Sequence, residues 1–211
     1  MSTLALLGTA LGLGVASGLS LYGVAFVTGL AIRLGWVRLG PAWAGLDVLA
    51  DPVVLTLSGA LLAVEFVADK VPVVDSAWDA IHTVIRPIGG ALLALRVFGD
   101  LSPVAASVAF LLLGGAALAT HSAKASLRLV VNSSPEPFSN GVVSLFENGI
   151  TVGLVWLALA HPLVALGLGL VFLVATVVVT AWCFRRAVAA TRRLLRRSPG
   201  PSGGAPAGRL T

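Results

Sequence analysis

Long apolar runs occupy most of the chain between Leu4 and Phe184, and they constrain its fold more than any other feature. A helix that crosses a hydrocarbon core of about 30 Å needs ~20 such residues. Inside a bilayer each backbone N–H and C=O must be satisfied within the protein, so runs of this kind fold as helices and pack together. The runs cover about 4–34, 52–68, 78–98, 103–131, 138–160 and 162–184. Composition agrees: 57% of the 211 residues are hydrophobic and 11% are charged, against ~25% charged in an average soluble domain. The expected architecture is all-α: a polytopic transmembrane helical bundle of about six spans. It forms one domain over 1–184, followed by a basic helix end at 185–197 and a disordered tail at 198–211.

The first run is too long for one upright helix. Gly12, Gly14, Gly18 and Gly23 weaken it, and Ser17 and Ser20 lie near its middle. Glycine permits close approach of neighbouring helices. A tilted or broken helix is expected, in the second case as two half-helices. The first charge is Arg33, so no basic region precedes the first run, which is expected to stay in the fold rather than be cleaved.

Net charge is +5, but seven Arg and no acid follow from Arg185 onward, so the rest of the chain is acidic. Arg185, Arg186, Arg192, Arg193, Arg196 and Arg197 directly follow an apolar run. The positive-inside rule places this end in the cytoplasm, where it is expected to touch anionic lipid rather than nucleic acid. Counting back, the turn at His161 and the turn at Asp100 lie outside, with Arg38. The regions 69–75 and 124–136 lie inside. Cys183 is the only cysteine, so an intrachain disulfide is excluded.

A weak internal echo suggests a repeat: Asp51-Pro52-Val53 and Ser102-Pro103-Val104 each open an apolar run that ends in a polar stretch. Within those polar stretches the charges are ordered. Glu65 and Asp69 are four apart. Asp75, Asp79, His82 and Arg86 are spaced four, three and four, as one stripe of a helix. His121, Lys124, Arg128 and Asn132 form a basic stripe, and Asn140, Ser144, Glu147 and Thr151 form a third. One charge at the bilayer centre costs at least ~2.5–3.5 kcal/mol. Three such stripes therefore should face each other or a wet cavity. The plainest arrangement is a packing clamp of Asp75 and Asp79 against Lys124 and Arg128. If a metal binds, Asp75, Asp79 and His82 are its expected ligands, although no HxxxH or HExxH pattern is present. Phosphate-loop, nucleophile-elbow and dinucleotide glycine patterns are absent too.

The run Glu65-Phe66-Val67-Ala68-Asp69-Lys70, with Pro72, Asp75-Ser76, Trp78-Asp79, His82-Thr83 and Ile85-Arg86-Pro87, resembles bacterial membrane proteins grouped as domain of unknown function 4126. So do His121-Ser122, Lys124-Ala125, Arg128, Asn132, Ser134-Pro135-Glu136-Pro137 and Ser139-Asn140, and the early Gly18-Leu19-Ser20-Leu21-Tyr22. The resemblance covers about 12–157. It implies a bacterial cytoplasmic membrane and brings no activity with it.

Three functional readings are open. In the first, the chain is a transporter, channel or flippase for an ion or an anionic, phosphate-bearing solute. His121, Lys124, Arg128, Asn132, Arg86, Glu136 and Asn140 would hold the solute. Glu65, Asp69, Asp75, Asp79, His82 and Glu147 would bind a coupling proton or divalent cation. A single copy is small for a carrier, so a homodimer is expected. In the second, the protein is an intramembrane metal-dependent enzyme acting on a lipid phosphate headgroup. No nucleophile stands out, and no residue is assigned a catalytic role. In the third, it is a structural or assembly subunit, with the charges as its clamp.

Overall fold

The structure is a computed structural model that describes residues 2–37, 40–132 and 137–197. Arg38, Glu136 and the tail from Ser198 lie outside the described residues, as do the side chains of Asn132 and Asn140. The chain is all-α, with no strand among the described residues. Its helices are α1 (Thr3–Leu19), α2 (Leu21–Arg33), α3 (Pro52–Ala68), α4 (Pro72–Leu95), α5 (Pro103–Asn132), α6 (Pro137–Ala160) and α7 (Pro162–Arg197). A 3-10 segment, Pro41–Ala50, joins α2 to α3.

Local chemistry explains the boundaries. Each helix from α3 to α7 starts on proline, whose missing N–H is not needed in the first turn. Asp51 caps α3 by accepting from the Val53 N–H at 2.8 Å, and Ser102 accepts from Ala105 N–H at 3.3 Å. The echo between Asp51-Pro52 and Ser102-Pro103 is thus a shared cap followed by proline. The same logic moves one boundary. The third run was expected from about Trp78, yet α4 begins at Pro72, because proline here opens the helix rather than only breaking the chain. The whole acidic stripe therefore rides on one continuous helix. At the other end α7 runs unbroken to Arg197, so the arginine-rich stretch continues the helix.

The first run breaks at Ser20, which ends α1 and caps α2. The two halves do not continue in one direction. Near its start α1 meets the α6–α7 turn: a Cβ at Gly8 would lie 2.0 Å from the Pro162 carbonyl oxygen, and Thr9 Oγ1 donates to Ala158 O at 2.8 Å. Its far end reaches Glu65 through Ser20. From there α2 runs antiparallel to α3, with Gly23 beside Leu62, Phe26 beside Gly59 and Gly29 beside Leu55. It thus returns toward the end it came from, where Gly45 packs on the Arg96 carbonyl and Arg33 donates to Ala50 O at 3.0 Å. The pair is a helical hairpin whose tip is buried.

Helix α1 is the axis of the bundle. It touches α4, α5, α6 and α7, and its residues from Gly8 to Leu19 are buried except Leu11. Such encirclement requires small side chains. At Gly18 a Cβ would stand 2.4 Å from Ala117 O, so only glycine lets α5 come this close. The outer faces are the reverse. Val73 is 80% exposed and Val104 76%, while Arg86 is 0% exposed. Apolar side chains outside and charge inside suit a lipid solvent and no aqueous one. By length and composition, Pro103–Leu129, Gly141–Ala160 and Pro162–Arg186 can cross a membrane, and α1, α2 and α3 are shorter apolar helices.

The hairpin makes a topological prediction. In a Cys183→Ser background, single cysteines at Thr3 and His161 should react with an impermeant thiol reagent from the same side of a sealed vesicle. One at Lys70 should react from the opposite side. Labelling of Thr3→Cys together with Lys70→Cys would contradict a buried tip.

Candidate functional site

The hairpin tip creates two helix ends inside the bundle, and a buried helix end has unsatisfied backbone groups and a partial charge. At the end of α1 the Gly18 carbonyl accepts from Arg86 Nη1 at 3.4 Å, and the Leu19 carbonyl accepts from Lys124 Nζ at 3.1 Å. Two cations thus cover the negative pole. At the start of α2, Ser20 Oγ accepts from Gly23 N–H at 3.0 Å and donates to Glu65 Oε2 at 2.7 Å. A carboxylate thus stands at the positive pole.

From this point the charges spread outward in contact. Arg86 forms a close ion pair with Glu65 Oε1 and a longer one, 3.4 Å, with Asp79 Oδ1. Lys124 stands 3.8 Å from Glu65, 3.8 Å from Asp69 and 3.5 Å from Glu147. Arg128 grips Glu147 with two donors, Nε at 3.3 Å and Nη2 at 2.6 Å. It also donates to Asp69 Oδ2 and to the Asp69 carbonyl, each at 3.1 Å. Ser144 Oγ donates to Asp69 Oδ2 at 3.0 Å. Glu65, Asp69, Asp75, Asp79, His82, Arg86, His121, Lys124 and Arg128 are all buried, and the Glu147 side chain is 12% exposed.

The two histidines have different roles. A guanidinium has only donors, so Arg86 Nη1, 2.7 Å from His121 Nδ1, makes that nitrogen an acceptor. The proton of His121 is then on Nε2, between the Asp79 carbonyl oxygen at 3.0 Å and Thr83 Oγ1 at 3.2 Å, and the ring is neutral. His82 Nδ1 donates to the Trp78 carbonyl at 2.7 Å, and its Nε2 meets the Tyr22 hydroxyl at 3.0 Å. Its ring stacks on Trp78 with centroids 4.4 Å apart.

Three sequence stripes thus form one cluster, but with other partners than a clamp of Asp75 and Asp79 on Lys124 and Arg128. Arg128 goes to Asp69 and Glu147, and Asp79 pairs with Arg86 of its own helix, two turns on. Asp75 is buried on the same face. The expected metal trio is not assembled: both ring nitrogens of His82 are engaged, and among the described residues no three His, Cys, Asp or Glu side chains are grouped to hold an ion. Spacing alone missed Tyr22, Thr83 and the carbonyls of Gly18 and Leu19. The signal was present in the polar Ser20 between Gly18 and Gly23 within an apolar run.

The fold and its interior define an α-helical membrane protein built around a buried ionic cluster. Residues 7–182 match the family described as Domain of unknown function (DUF4126), and the chain belongs to that family. No curated protein and no solved structure matches it.

Removing one partner of a buried ion pair leaves the other charge uncompensated, at a cost of ~3–5 kcal/mol. Arg86→Met is therefore expected to lower thermal stability in detergent strongly. Arg86→Met combined with Glu65→Leu should recover part of that loss, because Asp79 and the Gly18 carbonyl still lack Arg86. If the double variant is as unstable as the sum of the singles, the two residues are not coupled as described.

Proposed function

We propose that the protein is a transporter that moves an ion or a small charged solute through the cluster at the hairpin tip. The observation that carries this reading is the helix discontinuity at Ser20, met on one side by Glu65 and on the other by Arg86 and Lys124. Broken helices whose ends face a charged site within the membrane are how many transporters bind their cargo. A clamp needs matched charges, and the cluster is not matched. Among the described residues, four carboxylates (Glu65, Asp69, Asp79, Glu147) accompany three basic side chains (Arg86, Lys124, Arg128), with His121 neutral. Buried carboxylates in excess retain protons or attract cations. That favours a proton or small cation as the coupled species, and it makes the basic stripe the counter-charge rather than a free anion site.

In this reading the chain sits in the cytoplasmic membrane with its arginine-rich helix end inside, against anionic lipid. Two copies pair, since one bundle of 211 residues is small for a carrier. The enzymatic reading loses support with the metal trio.

The test is flux. Purified protein in liposomes is expected to dissipate a proton or alkali-cation gradient. Ser20→Ala removes the two hydrogen bonds of its hydroxyl, to Gly23 N–H and Glu65, each worth ~1 kcal/mol, which should leave the fold intact and change the rate by up to about thirtyfold. A folded protein that passes no proton, cation or anion in either direction would overturn transport and leave the ionic cluster as a structural element.

A further inference from the structure

A half-open pocket of about 240 Å³ lies between α4 and α5, with the buried Asp79 and Arg128 at its base and the exposed Ser76 and Thr83 at its rim. One water occupies ~30 Å³ of liquid, so the space admits an ion with part of its hydration shell. Ser76 stands in the second turn of α4 and Arg128 one turn from the end of α5. The cavity is therefore near the end of the bundle where α4 starts, within reach of the interface.

Its two charged residues are neutralised unequally. Arg128 faces two carboxylates, at 2.6 and 3.1 Å. Within 4 Å Asp79 faces one cation, Arg86, at 3.4 Å, whose closer partner is Glu65, and Lys124 acts on Asp79 from farther off. Oδ2 of Asp79 has no hydrogen-bond partner among the described residues, although Asp79 is only 5% exposed. A buried carboxylate oxygen without a donor is costly, and a positive charge in the cavity would relieve that cost.

The neighbouring oxygens determine which charge fits. Thr83 Oγ1 spends its proton on the Asp79 carbonyl at 2.9 Å, and Ser76 Oγ spends its proton on the Pro72 carbonyl at 3.0 Å. Ser76 Oγ therefore presents lone pairs rather than a proton, and Thr83 Oγ1, which also accepts from His121 Nε2–H at 3.2 Å, keeps one lone pair for a ligand. One carboxylate and two neutral oxygens make a hard but weakly charged ligand set. Calcium takes six to eight oxygen ligands, typically with several carboxylates, and magnesium keeps octahedral waters at short range. A monovalent ion is the better match.

We propose that this cavity binds one alkali cation, Na⁺ or K⁺, with Asp79 as its charged ligand, Ser76 and Thr83 as neutral ligands, and water completing the shell. The site deepens the transport reading by naming the coupled ion, but binding is measurable without flux. The experiment is thermal unfolding of purified protein in detergent at fixed pH and ionic strength, in NaCl, KCl or N-methylglucamine chloride. The midpoint is expected to rise saturably with Na⁺ or K⁺ relative to N-methylglucamine. Asp79→Asn should abolish the rise, and Thr83→Val should raise the half-saturating concentration about tenfold. If Asp79→Asn does not fold, Ser76→Ala and Thr83→Val carry the test together. Equal midpoints in all three salts, or a rise that survives Asp79→Asn or both hydroxyl variants, would overturn the site. A midpoint that moves with pH and not with salt would put a proton on Asp79 and overturn it too. Saturable binding with no flux in liposomes would remove the transport reading and keep the site. Proton flux with no cation dependence would do the opposite.

Discussion

A helix that ends inside a bundle exposes carbonyls at one terminus and N–H groups at the other, in a place where water cannot reach them. The break at Ser20 imposes this demand, and the interior is organised around it. The end of α1 requires cations, supplied by Arg86 and Lys124. The start of α2 requires an acceptor and tolerates an anion, supplied by Ser20 and Glu65. Those two cations and one carboxylate cannot be buried alone. Asp79, Asp69 and Glu147 answer them, and Arg128 answers the last two in turn. The polar interior thus follows from one interrupted helix.

Much of this was legible in residue order. Hydropathy and the proline starts located α3 residue for residue, and α5 and α6 to within one residue. Helical spacing put Asp75, Asp79, His82 and Arg86 on one buried face. Partner choice was not legible, because a stripe specifies a face and says little of depth or azimuth. Arg128 and Asp79 lie on facing helices, yet Arg128 reaches Asp69 at the end of α3 and Glu147 on α6 instead. Nor does a run of apolar residues reveal its direction. Only the register of Gly23, Gly29 and Gly59 against their neighbours shows that α2 turns back along α3. His82 looked like a metal ligand for the same reason: sequence spacing cannot see the Tyr22 hydroxyl that occupies its second nitrogen.

Glycine and charge share the work in the interior. Helix α1 gives up side-chain volume at Gly8, Gly12, Gly14 and Gly18, and so brings four neighbours close enough for their long polar side chains to meet at its end. Larger residues there would hold α5 away and take Lys124 from the Leu19 carbonyl. Small residues and buried ions, often treated as separate marks of membrane helices, here form one arrangement.

The hairpin also has a consequence for the order of synthesis. Its tip at Ser20 is made before Glu65, Arg86 and Lys124, which satisfy it. Until residue 124 has left the ribosome, the ends at Ser20 must be hydrated at the membrane surface or held by other proteins. A segment made before its partners is therefore among the last to reach its final place, and the rest of the bundle closes around it.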